Sequence, residues 1–192
     1  MDTHKITTDM ILSAAAILFR AKGYHETSMN EVAKTCKISV PCLHHYFLDK
    51  EALALAVMTK VQLDFDKYIF KYAYDKDLAP ATRLANLNSA IENFFSIENS
   101  GCVYVNFVIE AMNSVPCFAG PIYHYFRSFS NAYREIFISA FEANLAQSLA
   151  DDFVSDLQGA LIMTRVTGTT LHLRRLSMRL FRVLESDQIS LV

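Results

Sequence analysis

The residues of this chain best equipped for chemistry lie together in Ser39 to Leu53, SVPCLHHYFLDKEAL. His44 and His45 are adjacent, with Cys42 two residues before them, Tyr46 after them and Cys36 upstream. Imidazole and thiolate are the ligands of zinc sites, and the same groups serve as base and nucleophile. The spacing disfavours both uses. Adjacent residues on a helix point about 100° apart, so the two histidines cannot easily share one ion with both cysteines. No nucleophile–base pair recurs at a defensible spacing, so no catalytic residue, metal or cofactor is expected and the chain does not read as an enzyme.

Recognition is the remaining chemistry. On a helical wheel Leu43 and Phe47 face one way, as core residues would, and Pro41, His44 and His45 face the other. Cys42 and Leu48 fall at the margins, and Tyr46 lies on a shoulder with its hydroxyl free to project. Such a face of small or hydrogen-bonding groups suits the second helix of a helix-turn-helix lying in a major groove.

The elements that must position this face are helices. Gly and Pro number only five and four, and no stretch alternates strictly between apolar and polar. A first helix is expected from Thr8 to Lys22, with Ile11, Leu12, Ala15, Leu18 and Phe19 as its stripe and Gly23 at its end. A second begins at Ser28, where SMNE (28–31) reads as a capping box, and ends near Thr35 or Cys36. A third takes Ser39 as its N-cap with Pro41 in its first turn and ends near Phe47. Asp49 caps a fourth that runs to about Tyr74. Beyond it, helices are expected at about 82–97, 102–113, 122–147, 151–167 and 170–185, separated by breaks that include ENSG (98–101). The fold class is all-α, with about nine helices: a three-helix head over residues 1–50 joined to a helical body over 51–192.

The chain is 52% hydrophobic, which predicts much buried surface, a subunit interface or an apolar cavity. Its longest apolar runs, AAAILF (14–19) and ALALAVM (52–58), are far too short to span a bilayer. With no signal-like start, a cytoplasmic protein is expected. The four cysteines read as free thiols packed as small apolar groups. Net charge is −2, but residues 1–50 carry six Lys/Arg against five Asp/Glu and four uncounted histidines, which permits a polyanion-binding head without requiring one.

The segment from Ile11 to Val57 resembles the DNA-binding domain of the tetracycline-repressor (TetR) family. The matching elements are the AA-x-x-LF run, KGY, TSM-x-E-V-A, the I-S exit from the turn, the L-x-x-x-F frame and KEAL. GCVYVNFVIEAMN (101–113) and QGALIMTRVTGTTLHLRRL (158–176) resemble body segments of some subgroups more loosely. The resemblance implies a homodimeric repressor whose heads each read half of a palindromic operator in double-stranded DNA. A small effector bound by the body would release it. The sequence departs from the family where Lys37 stands in the turn, often Gly, where Val40-Pro41 replaces the common Lys-Gly, and where His44 replaces a tyrosine.

DNA contacts are expected from Thr27, Ser28, Ser39, Val40, Pro41, Cys42, His44, His45, Tyr46 and Lys50. Val40 and Pro41 suit a thymine methyl, and few Lys/Arg means a modest salt slope. For an effector, which the body's composition suggests is apolar or aromatic, the candidates are Phe65, Tyr68, Tyr72, Asn106, Glu110, Phe126 and Tyr133. Asn106 and Glu110 share one face of an otherwise apolar helix, so they need polar partners, either an effector or groups inside the fold. The dimer interface is expected at Ala160, Met163 and Val166. The alternative is a helical interaction protein that keeps the helix-turn-helix shape without reading DNA.

Overall fold

The computed structural model describes residues 7–96 and 101–186. These form nine helices and no strand among the described residues. They are α1 (Thr8–Glu26), α2 (Met29–Thr35), α3 (Val40–Tyr46) and α4, which starts at Lys50–Phe65 and runs on through a π turn (Asp66–Phe70) and a last α turn (Lys71–Tyr74). Then come α5 (Pro80–Ser96), α6 (Val103–Glu110), α7 (Ala119–Phe137), α8 (Ala143–Thr167) and α9 (Leu171–Ser186). Most of the expected break at 98–101 lies outside the described residues.

Two compact units result. One takes the chain up to Leu63 together with Cys102–Ile122, and the other takes Asp64–Gly101 and the chain from Tyr123 onward. Thus α6 packs with the head, although it lies far beyond it in sequence.

In the first unit, the caps do what their residue types allow. Thr7, Ser28 and Ser39 accept from the amides of Met10, Glu31 and Cys42, and Asp49 accepts from Ala52. The capping box at 28–31 closes on one side only, because the Glu31 carboxylate pairs with Lys22 instead of turning back. Helix α1 has a break at Gly23, with φ 83° and ψ −174°. Helix α2 ends in a Schellman motif: the Lys37 amide donates to the Lys34 carbonyl and the Ile38 amide to that of Ala33. Lys37 itself takes the left-handed conformation, φ 55°, which a glycine would adopt without steric cost. Ile11, Ala15, Phe19, Val32, Leu43, Phe47 and Leu53 are buried, while Leu12 and Leu18 are half-buried. Phe107 of α6 stacks on Phe118 and meets Phe19 and Tyr24 edge-on, at centroid distances of 5.1–5.5 Å.

The second unit is centred on Phe65, Phe70, Phe95, Tyr125 and Phe129. Several buried polar groups are satisfied across helices. The Tyr133 hydroxyl donates to Asn88 Oδ1 at 3.0 Å, and Asn88 Nδ2 donates to Ser177 Oγ at 3.0 Å. Arg83, only 4% exposed, donates to the carbonyls of Ala73 and Glu135.

Two expectations fail here. A helix breaks at 138–142, not near 148–150: no Gly or Pro marks it, and tight turn bonds from Ile138 to Phe141, with the Ser139 hydroxyl on the Ile136 carbonyl, end α7. The second is the aromatic stripe of α4. From Phe65 an α-helical stripe continues at positions three, four and seven residues on, namely Tyr68, Ile69 and Tyr72. The π turn inserts one extra residue, so the buried positions are Ile69, Phe70 and Ala73. Tyr68 is exposed and Tyr72 half-buried, with Lys67 and Lys71 over their rings.

Candidate nucleic-acid interface and the joint behind it

Helix α3 is held by its inner residues: Leu43 is fully buried and Phe47 nearly so. Its outer face presents Ser39, Pro41, His44, His45 and Tyr46 to solvent, with Val40 and Cys42 half-buried beside them. The face is therefore displayed as the wheel predicts. His44 is oriented by a bond of 2.9 Å between Nδ1 and the Leu48 carbonyl. A carbonyl only accepts, so Nδ1 carries the proton and Nε2 is left for a partner outside. Ser28 is exposed at the start of α2, and Lys34 and Lys37, neither of them among the expected DNA contacts, are exposed at its end. Among the described residues no group of three His, Cys, Asp or Glu side chains is placed to hold a metal ion.

Two expected contacts point elsewhere. Thr27 is fully buried, and its hydroxyl donates to the Gly23 carbonyl at 2.8 Å. Lys50 Nζ donates to the carbonyl of Tyr24 at 3.0 Å and lies 4.4 Å from the centre of its ring, with the His25 carbonyl at 3.4 Å. An ammonium group is well suited to that place, where α1 ends in unsatisfied carbonyls.

The other side of the same joint is held by α6. Asn106 Nδ2 donates to the carbonyls of Phe19 and Arg20, both at 3.0 Å. The Glu110 carboxylate accepts from the His25 amide at 3.0 Å, and the His25 ring Nε2 meets the Glu110 carbonyl at 2.8 Å. The carboxylate sits against Gly23 so closely that a Cβ there would overlap it. The polar pair thus finds its partners inside the fold, which corrects the expectation of both residues as effector ligands. The KGY turn is clamped between Lys50 and Asn106–Glu110. Sequence flagged Gly23, Lys50, Asn106 and Glu110 separately but not His25, and nothing in it linked the end of α1 to α6.

The remaining body candidates scatter. Phe65 and Tyr133 are fully buried against other helices, and burial drives the Tyr133 phenol upward from its ordinary pKa. Phe126 lines an open groove of about 620 Å³ between α7 and α8, with Tyr123, Arg127 and Asp151. The floor of the groove is a bonded set, in which Ser130 donates to Asp151 and Gln147 donates to both. At the expected interface Met163 and Val166 are exposed, whereas Ala160 is buried within the chain.

Four cysteines are free. Cys36 is half-buried and its pKa is raised by burial. Cys117 is exposed, and its thiol bonds Glu51 at 3.0 Å; that carboxylate holds its pKa above the ordinary thiol value. None of the helices among the described residues is long and apolar enough to cross a membrane.

A three-helix head with an outward second helix in its helix-turn-helix, followed by an all-helical body, defines a class of DNA-binding regulators. Residues 11–57 match the family model described as bacterial regulatory proteins, tetR family. The match covers the helix-turn-helix head, and the curated relatives that share it are HTH-type transcriptional regulators. It is 38% identical over 80 residues to YuxN of Bacillus subtilis, an uncharacterised HTH-type transcriptional regulator, covering 42% of this chain and 22% of that one. It is 41% identical over 56 residues to the HTH-type transcriptional regulator UidR of Escherichia coli, covering 29% of each. These matches thus span less than a third of either relative. A crystal structure of a TetR transcriptional regulator from Legionella pneumophila superposes with a TM-score of 0.85 at 18% identity, over 94% of this chain and 99% of that one.

Proposed function

We propose that this chain is a cytoplasmic homodimeric repressor whose two heads read a palindromic operator and are released by a small effector. The observation that carries DNA reading is the outer face of α3, where Pro41, His44, His45 and Tyr46 are exposed while Leu43 and Phe47 anchor the helix. Val40, Pro41 and Cys42 lie at the N-terminal end of α3, from which such helices reach base edges. Ser28, Ser39, Tyr46 and the histidines take phosphates. Lys50 acts behind this surface, holding the end of α1.

Release is favoured by the joint at Gly23. Because Asn106 and Glu110 of α6 hold the last turn of α1, a displacement of α6 is passed to the head through hydrogen bonds. The effector belongs to the body (51–192), where Gln158 offers an amide whose nitrogen and oxygen are buried with no protein partner among the described residues. An orphaned buried amide costs about 1–3 kcal/mol, which a polar group on a mostly apolar effector would offset.

The test is selection of binders from a random duplex library by the purified protein at near-physiological salt. An inverted repeat is expected, with binding lost in the triple variant His44→Ala, His45→Ala, Tyr46→Ala. The affinity should fall with salt at a slope well short of that of a protein neutralising about ten phosphates. Failure to recover any motif, before and after refolding away bound ligand, would favour a helical interaction protein instead.

A further inference from the structure

His44 and His45 are both exposed on the outer face of α3, but their rings are held differently. His44 Nδ1 bonds the Leu48 carbonyl at 2.9 Å, just past the end of the helix. A carbonyl has no proton to give, so Nδ1 holds the single proton of the neutral ring. Nε2 is left with a lone pair. The His45 ring makes no such bond among the described residues, so either of its nitrogens can carry the proton and donate outward.

The difference matters at a phosphate, whose oxygens only accept. A neutral His45 can turn an N–H toward one. A neutral His44 presents a lone pair to a negative oxygen unless it gives up Leu48. A second proton on the ring removes the conflict. Nδ1–H stays on the Leu48 carbonyl, Nε2–H donates outward, and the bond to the phosphate becomes charge-assisted.

The titratable and charged groups beside this ring are engaged elsewhere or carry no negative charge that binds it. On α3 itself they are Cys42, His45 and Tyr46. On α2 and its end, Glu31 pairs with Lys22, Cys36 is half-buried, and Lys34 and Lys37 are exposed cations. Around the start of α4, Asp49 caps the Ala52 amide, Lys50 holds the end of α1, and Glu51 accepts from Cys117. No carboxylate bonds the His44 ring among the described residues, so the anion that holds a second proton comes from outside the chain.

We propose that operator binding takes up one proton per head at His44 Nε2, so that the protein holds DNA more tightly as pH falls. This inference rests on the DNA reading proposed above and deepens it. The DNA-bound form carries more protons than the free one, so affinity falls as pH rises. Histidine is the side chain whose charge changes between about pH 5 and 8. A tyrosine at this position would donate its hydroxyl to phosphate throughout that range, so the histidine at 44 is what adds the proton requirement.

The probe is a fluorescent duplex carrying the inverted repeat recovered by selection, titrated with the full-length protein at about pH 6 and about pH 8. Wild-type affinity should be about tenfold or more higher at the lower pH. Its fall with salt should also be steeper there, by about two in the logarithmic slope, for one added phosphate contact per head. His44→Tyr, checked for helix content by circular dichroism, should lose both differences, whereas His45→Gln should keep them. In the free protein at about pH 8, nitrogen–proton correlation spectra of the imidazoles should show His44 protonated at Nδ1. Affinity and salt slope that do not change with pH overturn the proposal and leave Nε2 accepting from a cytosine or adenine amino group. A His44→Tyr variant that keeps the wild-type pH dependence overturns it too, as does a His44 ring protonated at Nε2 alone. Recovery of no inverted repeat at either pH overturns the DNA reading along with it.

Discussion

Replacing Gly23 with alanine tests the joint between α1 and α6 most directly. At φ 83° and ψ −174° the backbone occupies a region open almost only to glycine, and placing a Cβ there costs about 1–3 kcal/mol. The new methyl also overlaps the Glu110 carboxylate and drives it off the His25 amide. A charge-assisted hydrogen bond at this half-exposed site contributes about 1 kcal/mol. Gly23→Ala should therefore destabilise by about 2–4 kcal/mol, read by urea unfolding followed by circular dichroism. The decisive comparison is a cycle with Glu110→Ala. In that background the overlap is gone, and Gly23→Ala should cost only the backbone strain, about 1–3 kcal/mol. Equal costs in the two backgrounds would refute a role for close approach. A cost below about 1 kcal/mol in the wild-type background would refute the strained geometry as well.

Other outcomes follow from single residues. Lys37→Gly should stabilise the head by about 1 kcal/mol, since glycine takes the left-handed turn without a Cβ penalty, and a lower melting temperature would contradict the Schellman geometry. Ser39→Ala removes the cap of α3 and should cost about 1 kcal/mol while weakening DNA binding through fraying of the recognition helix; unchanged affinity would separate the cap from reading. Glu51 raises the Cys117 pKa by bonding the neutral thiol and opposing its charge. Glu51→Gln should therefore lower that pKa, and iodoacetamide alkylation of Cys117 at mildly alkaline pH should become faster. An unchanged rate would show that the carboxylate does not control this thiol.

The head was legible because its signals are local. Caps at Ser28 and Ser39, the glycine stop at 23 and the apolar frame Leu43–Phe47 each act within one or two turns, and the structure keeps them. Lys37 stood out only by its resemblance, as a residue in a turn where the family often has Gly, and it is in fact left-handed. What escaped the sequence was set by distance or by exceptions to periodicity. Thr27 and Lys50 have the chemistry of phosphate ligands, but the end of α1 claims both. Asn106 and Glu110 announced a need for partners without saying which. The break after Phe137 has no Gly or Pro, and the π turn shifts the α4 stripe by one residue, so aromatic positions that looked equivalent in sequence separate into buried Phe65 and exposed Tyr68.

That extra residue gives α4 an unusual tolerance. In an ordinary helix, deleting one residue rotates everything after it by about 100° and scrambles the buried face. Here, deletion of the exposed Lys67 would place Ile69, Phe70 and Ala73 three, four and seven positions after Phe65, the spacing of an uninterrupted α-helix. The same side chains would remain in the core. The segment Asp66–Phe70 therefore marks one place in this chain where length is free to change while the interior stays the same.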